Sequence, residues 1–474
     1  MFLSFCLLLF PLIPVILVLF LFTPFARFSS ASKTHKNQPP SPRKLPIIGN
    51  LHKIGLNAHR SLLALTQKHG PLVLIQLGSV PVLVASSAEA AQEILKTHDV
   101  IFASRPKLSI PDALTYGSKD IAFSPYGEYW RQVRSIAVLG LLSSRRVQSF
   151  QRVREEETCL MIDKIGEICG SIVDLGELLT IFTNNVVCRV AFGRKFHGVK
   201  FNDLLKRFTY LLGAFSVGNY IPWLSWVDRF NGLEARIKKV AVEFDEVLET
   251  VLEEHISKKR AVEGDVSGEN EEGQDLVNIL LDAQREHTTT SFTLERDVIK
   301  AAIMKEVTEI AQGKSMISEE DLEKMHYLHA VIKETLRLHT PLPLLISRQS
   351  TEYVKLMGYD IPAGTQVIIN AWAIGRDPSL WEEAEKFWPE RFLKSSIDYK
   401  GMHFEFLPFG AGRRGCPGIQ FAIVINELAL ANLVYKYDFA VPDDMRGDEL
   451  DMSEITGLTL HRKSPLLVVA TSCF

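Results

Sequence analysis

The sequence predicts one large, mainly α-helical domain with small β-sheets, carried behind an N-terminal transmembrane helix. Three observations lead there: an apolar run near the start of the chain, helical spacing of apolar residues over most of the rest, and few strand signals. At ~150 residues per domain, 474 residues allow up to about three domains, yet no flexible linker interrupts the chain beyond residue 50. Apolar residues make up 46% and charged residues 23%, proportions that exclude a disordered, collagen-like or polytopic membrane protein. With 53 basic and 56 acidic side chains the formal net charge is -3, so no global positive field is available to bind nucleic acid.

Phe2 to Phe22 is apolar except for Ser4, and these 21 residues at about 1.5 Å each reach roughly 31 Å, the thickness of a bilayer hydrocarbon core. A signal peptide would have a shorter apolar region of about 7 to 15 residues after a basic start. Here no Lys or Arg precedes the run, and Pro11 and Pro14 are tolerated in membrane helices. Arg27, Lys33, Lys36, Arg43 and Lys44 all follow it, which by the positive-inside rule leaves the rest of the chain in the cytosol. Residues 1–26 are thus expected to be a single-pass anchor. Residues 27–50 read as a basic, proline-rich hinge: Pro39, Pro40, Pro42 and Pro46 forbid helix and favour a stiff spacer.

Within residues 51–474, Pro71 to Ala85 reads as two short strands around Gly78-Ser79. Leu233, Ile237, Val240, Phe244, Val247, Val251 and Leu252 fall at three-to-four spacing, the buried stripe of a helix of about 26 residues. Glu263 to Asp275, rich in acids and glycine, reads as a solvated loop.

Chemistry concentrates in Phe409-Gly410-Ala411-Gly412-Arg413-Arg414-Gly415-Cys416-Pro417-Gly418, which precedes the helical run from Ile419 to Tyr435. Gly410, Gly412 and Gly415 also spell G-x-G-x-x-G, but only 58 residues follow Cys416, too few for a dinucleotide fold, and Pro417-Gly418 breaks the helix that motif should open. A thiolate metal ligand fits better. A cysteine just before a helix meets free N–H groups and the positive end of the macrodipole, and the adjacent arginine adds charge, each of which lowers a thiol pKa. The other cysteines, Cys6, Cys159, Cys169, Cys188 and Cys473, have no such context.

This stretch resembles the haem-thiolate monooxygenases of the cytochrome P450 family, matching F-x-x-G-x-R-x-C-x-G at Phe409, Gly412, Arg414, Cys416 and Gly418. The resemblance implies the P450-like haem-thiolate fold, with Cys416 as axial ligand of haem iron and Arg414 paired with a haem propionate. Glu334-Thr335-Leu336-Arg337 fits the family's E-x-x-R, and with Arg391 of Phe387 to Phe392 it implies a network that braces the proximal side. Trp130 and Arg134 fit W-x-x-x-R, both directed at a propionate, and Arg348 matches a further propionate partner although Ser347 replaces the usual proline. The hinge, with Ser41 for the usual glycine, is similar to the plant microsomal branch, as are Ala191-Phe192-Gly193 and Tyr220 to Leu224. That branch implies the endoplasmic reticulum membrane and secondary metabolism. It also implies electrons from NADPH through NADPH-cytochrome P450 reductase, with cytochrome b5 as a further partner, and a small hydrophobic substrate. By the same resemblance Pro106 to Ala122, Pro341 to Ile346 and Gly457 to Leu460 line the substrate pocket.

One element of the family pattern is missing. The distal acid–threonine pair, A/G-G-x-D/E-T-T/S on a long central helix, delivers protons during oxygen activation. Asp297 to Met304 resembles the start of that helix, whereas Lys305-Glu306-Val307 resembles sequence well beyond its end, and Thr288-Thr289-Thr290 is out of register. Only 36 residues separate Val298 from Glu334, where a helix of roughly 30 residues and further helices belong. The expectation is an internal deletion of roughly 30 to 40 residues near 304–305. Three readings follow: a monooxygenase impaired by the loss; a non-catalytic, membrane-tethered haem protein or a truncated splice or gene-model product; and a rearranging haem-thiolate enzyme that needs no proton relay.

Overall fold

The computed structural model describes residues 37–195, 199–262, 315–442, 450–455 and 457–473. The expected anchor, the first part of the hinge, the acidic loop at 263–275 and the expected join at 304–305 lie outside the described residues.

Among the described residues the fold is organised chiefly by the helices α1 (Ala58–His69), α2 (Ser109–Leu114), α3 (Glu128–Ile136), α4 (Gln151–Glu167), α5 (Leu175–Phe192), α6 (Val199–Leu212), α7 (Leu233–Val262), α8 (His326–Leu338) and α9 (Ile419–Lys436), with shorter helices between them. Among the described residues the strands are short: β1 (Leu72–Leu77), β2 (Val80–Ala85), β3 (Ile172–Asp174), β4 (Arg348–Gln349), β5 (Val354–Leu356), β6 (Tyr359–Ile361), β7 (Gln366–Ile369), β8 (Tyr437–Ala440), β9 (Glu454–Ile455), β10 (His461–Arg462) and β11 (Leu467–Ser472). The mainly α class with small sheets is thus as the sequence indicated.

The predicted hairpin forms, with β1 and β2 antiparallel from Leu72↔Ala85 to Leu77↔Val80 around Gly78-Ser79. β7 joins β2 in parallel and β4 closes the sheet antiparallel to β7, in the order β1-β2-β7-β4. Both faces of the hairpin are covered, so its period of two splits the apolar residues between two cores. Leu72, Leu83 and Ala85 pack with Ile94, Leu95 and Phe102, whereas Val73, Ile75, Val82 and Val84 pack with Leu62 of α1. The tip of the hairpin is tied down by Ser79, whose N–H donates to the Tyr220 carbonyl at 2.7 Å. A second sheet runs β3-β11-β8, and β5–β6 and β9–β10 are isolated hairpins.

α9 is the structural centre because it is apolar on two faces. Ile423, Leu428, Ala431 and Val434 pack on Leu328, Val331, Ile332 and Leu336 of α8, with Trp381, Phe392 and Phe406 between them. Phe421, Ile425, Ala429 and Leu433 face Met161, Ile162 and Ile165 of α4 and Phe182 and Val186 of α5. α5 and α9 are each long and apolar enough to cross a membrane, and this packing gives that composition a core role. α5 is bounded as its sequence dictates: the Asp174 carboxylate accepts from the Glu177 N–H at 3.0 Å, and Gly193 takes the left-handed C-cap at φ 66°.

The amphipathic stripe is borne out with one correction. α7 spans 30 residues, and Leu233, Ile237, Val240 and Val251 are buried with Phe244 and Val247 against them. Leu252, read as part of the stripe, is exposed. Adjacent Val251 and Leu252 are about 100° apart on a helix, so only one of them can face the core.

Glu427 is a polar exception within α9. Its carboxyl is buried, 3.4 Å from His329 Nε2 on α8, and burial pushes its pKa up to about 8 from 4.5. A carboxyl that holds its proton more tightly when folded adds stability below the unfolded value and loses that contribution as pH rises toward about 8. Glu427→Gln is therefore expected to gain melting temperature over wild type progressively from pH 5 to pH 8. A difference that stays constant across that range contradicts the assignment.

Candidate active site

The cysteine loop leads directly into α9. Gly412–Arg414 forms a single 3₁₀ turn, the Gly415 N–H donates to the Gly412 carbonyl at 2.9 Å, and the Cys416 N–H returns to the Phe409 carbonyl at 3.0 Å. Phe409 fixes the start of the loop by packing edge-on against Tyr399. Gly412 has φ 67°, and a Cβ there would lie 2.3 Å from the Leu95 carbonyl oxygen, so no other residue fits. Gly412→Ala is expected to lower the unfolding midpoint relative to wild type, and an unchanged midpoint would contradict this. Gly418, by contrast, has an ordinary φ of -93° and open space where a Cβ would stand.

Cys416 is exposed at the loop surface, yet enough protein surrounds it to make ionisation costly. This corrects the sequence reading of its thiol. The Gly418 N–H and Arg134, not Arg413 or Arg414, pull its pKa down, and desolvation outweighs them, so the thiol stands above its ordinary value. A bound cation is then what would hold it as thiolate.

Four guanidiniums converge beside the loop. Arg134 donates to the Gly415 carbonyl at 2.7 Å, and Arg348 donates to the Ala411 carbonyl at 2.9 Å. Arg414 is buried, with Nε on the Ala103 carbonyl at 2.7 Å and Nη2 on the Ser124 carbonyl at 2.6 Å, and its guanidinium lies 4.0 Å from the Trp130 ring centroid. Arg105, which has no motif context in the sequence, donates to Ala122 at 2.8 Å and to Ile346 at 2.6 Å. Trp130 spends its indole N–H on the Ile121 carbonyl at 2.9 Å. Trp130 and Arg414, which the resemblance directs at a propionate, also order the 121–124 segment through its carbonyls.

The charge is unbalanced. Desolvation, then the neighbouring arginines, lower Arg414 to about 9, and Arg348 falls to about 10 by burial despite Asp99. Arg105 is lowered by burial, Arg348 and Arg414. Among the described residues, Asp99 and Asp120 are the acids acting on these three arginines, apart from the weak Tyr126 contribution. Clustered, buried cations of this kind are relieved by an anionic ligand. Among the described residues no three His, Cys, Asp or Glu side chains converge on a metal site. A metal at Cys416 would thus bring its own remaining ligands, and a group combining a metal with carboxylates fits the residues present.

The expected network of Glu334, Arg337 and Arg391 is assembled between α8 and the segment at 388–391. Glu334 and Arg337 of α8 form a bidentate pair, Nε–Oε2 2.7 Å and Nη2–Oε1 2.8 Å, with neither side chain exposed. Arg337 also donates to the carbonyls of Gly375, Ala384 and Lys386. Glu334 Oε1 accepts in addition from the Trp388 N–H at 2.8 Å and from Arg391 Nε at 3.1 Å. The E-x-x-R spacing works because positions three apart share a helix face.

The cytochrome P450 family model matches residues 39–301 and 294–469, which is most of the chain. The chain belongs to the cytochrome P450 family. A Tanacetum parthenium protein named 3-beta-hydroxylase is 52% identical over 94% of this chain and 95% of its own length. Cytochrome P450 71A4 of Solanum melongena is 51% identical over 96% and 97%, and (+)-menthofuran synthase of Mentha piperita 47% identical over 94% and 96%. A zebra fish cytochrome P450, solved with abiraterone, superposes with a TM-score of 0.71 at 24% identity, over 88% of this chain and 99% of that one. As a P450, the chain is a haem-dependent monooxygenase by family, an oxidoreductase that uses haem iron.

Proposed function

We propose that this P450 inserts one oxygen atom of dioxygen into a small hydrophobic molecule, with electrons from NADPH through NADPH-cytochrome P450 reductase and with cytochrome b5 as a further donor. The observation that carries the reading is the solvent-open Cys416 beside buried, under-neutralised guanidiniums. Haem, when bound, supplies the oxygen chemistry, and a thiolate ligand favours O–O cleavage. Cys416 would hold the iron, and Arg134, Arg348, Arg414 and Arg105 would neutralise the propionates. Glu334, Arg337 and Arg391 hold the proximal frame rigid. Relatives named for hydroxylation, oxidation and menthofuran synthesis support a small hydrophobic substrate. Residues 2–22 would tether the enzyme to the endoplasmic reticulum membrane with its body in the cytosol.

Turnover is impaired in this reading, because the distal acid–threonine pair is missing near 304–305. Two findings support it. The family matches as two segments that meet at 294–301. The alignment to the 3-beta-hydroxylase has 480 positions but uses 94% of 474 residues, about 446, so about 34 positions lack a residue of this chain. Restoring a central helix of that length between Met304 and Lys305 is expected to raise product formation with reductase by about 10²-fold, the scale of a lost proton donor. Equal product-forming turnover with and without it would refute the impairment.

A further inference from the structure

Asp99 lies just beyond the helical turn at Glu93–Thr97, outside every motif, and it contacts both the cysteine loop and Arg348. Its Oδ2 accepts from the Arg413 N–H at 3.1 Å and faces Arg413 Nε at 3.3 Å, while Oδ1 faces Arg348 Nη1 at 3.4 Å. Arg348 in turn donates to the Ala411 carbonyl, so the three residues 411–413 are held between one carboxylate and one guanidinium. The fit is tight: a Cβ on Gly412 would lie 2.8 Å from Asp99 Oδ1. The Asp99 side chain is only 15% exposed, which preserves its field, while that of Arg413 is half exposed.

We propose that Asp99 is a positioning residue that clamps Ala411 to Arg413 and, as one of two carboxylates facing the guanidinium cluster, offsets the charge that this cluster presents to a haem held by Cys416. This rests on the haem-thiolate reading of Cys416. Removing the anion should make the iron easier to reduce, and removing its outer cation, Arg413, should make it harder. Loosening of the loop alone would admit water and move both variants the same way.

The test measures the iron reduction potential of full-length wild type, Asp99→Asn and Arg413→Gln, with trypsin cleavage at Arg413 and Arg414 as a readout that needs no haem. The expected result is a more positive potential in Asp99→Asn, a more negative one in Arg413→Gln, and faster cleavage in Asp99→Asn than in wild type. Shifts of the same sign, or none, overturn the electrostatic role, and equal cleavage overturns the clamp. Should Asp99→Asn not fold, Arg413→Gln decides by sign alone: a fall supports the proposal and a rise or no change overturns it. Wild type that shows no thiolate-type spectrum with carbon monoxide sinks the haem reading itself, while the cleavage comparison still decides the clamp.

Discussion

Cys416→Ala is expected to abolish the thiolate-shifted Soret band of the reduced, carbon monoxide-treated protein and to bring product formation to background. Among the described residues nothing else offers a sulfur in the loop, and the nearby guanidiniums cannot ligate a metal. The fold should survive the change, because Cys416 is exposed and its structural bond comes from the backbone N–H, which alanine keeps. A variant that melts like wild type yet lacks the band assigns the loss to ligation. Retention of the band in Cys416→Ala would remove this residue from the iron.

The second large effect is on stability. Glu334→Ala leaves Arg337 and Arg391 facing each other without their shared carboxylate, in a site where neither Glu334 nor Arg337 is exposed. Breaking a fully buried ion pair costs about 3–5 kcal/mol, and here the Trp388 N–H loses its acceptor as well. Glu334→Ala is accordingly expected to give little soluble protein at 37 °C and a large drop in unfolding midpoint. Glu334→Gln keeps one acceptor oxygen and should fall between the two. Wild-type stability in Glu334→Ala would show that the network is not what holds α8 to the segment at 388–391.

The parts of this site that were legible in the sequence are those built from neighbouring residues. The loop from Phe409 to Gly418 and the pair Glu334–Arg337 announce themselves because their geometry is local: a glycine turn before a helix, or a spacing of three on one helix face. Arg105 and Asp99 were not legible, since their partners stand hundreds of positions away, at Ile346, Arg348 and Arg413, and meet only through tertiary packing. The raised pKa of the Cys416 thiol is hidden from the sequence for a related reason. Its neighbours in sequence argue for a lowered pKa, but desolvation depends on what the fold places around it. Leu252 shows the same limit on a smaller scale, where hydrophobic spacing alone could not say which of two adjacent residues the core would take.

The measurement that bears most directly on the account is the carbon monoxide difference spectrum of the reduced wild-type protein. A thiolate-type Soret shift is the predicted result, because the cysteine loop is folded around Cys416, Arg134 bonds its backbone, and the Glu334 network is fully assembled. No shift, or one at the position of a haem without thiolate ligation, would contradict the assignment of Cys416 and the haem-binding site built around it.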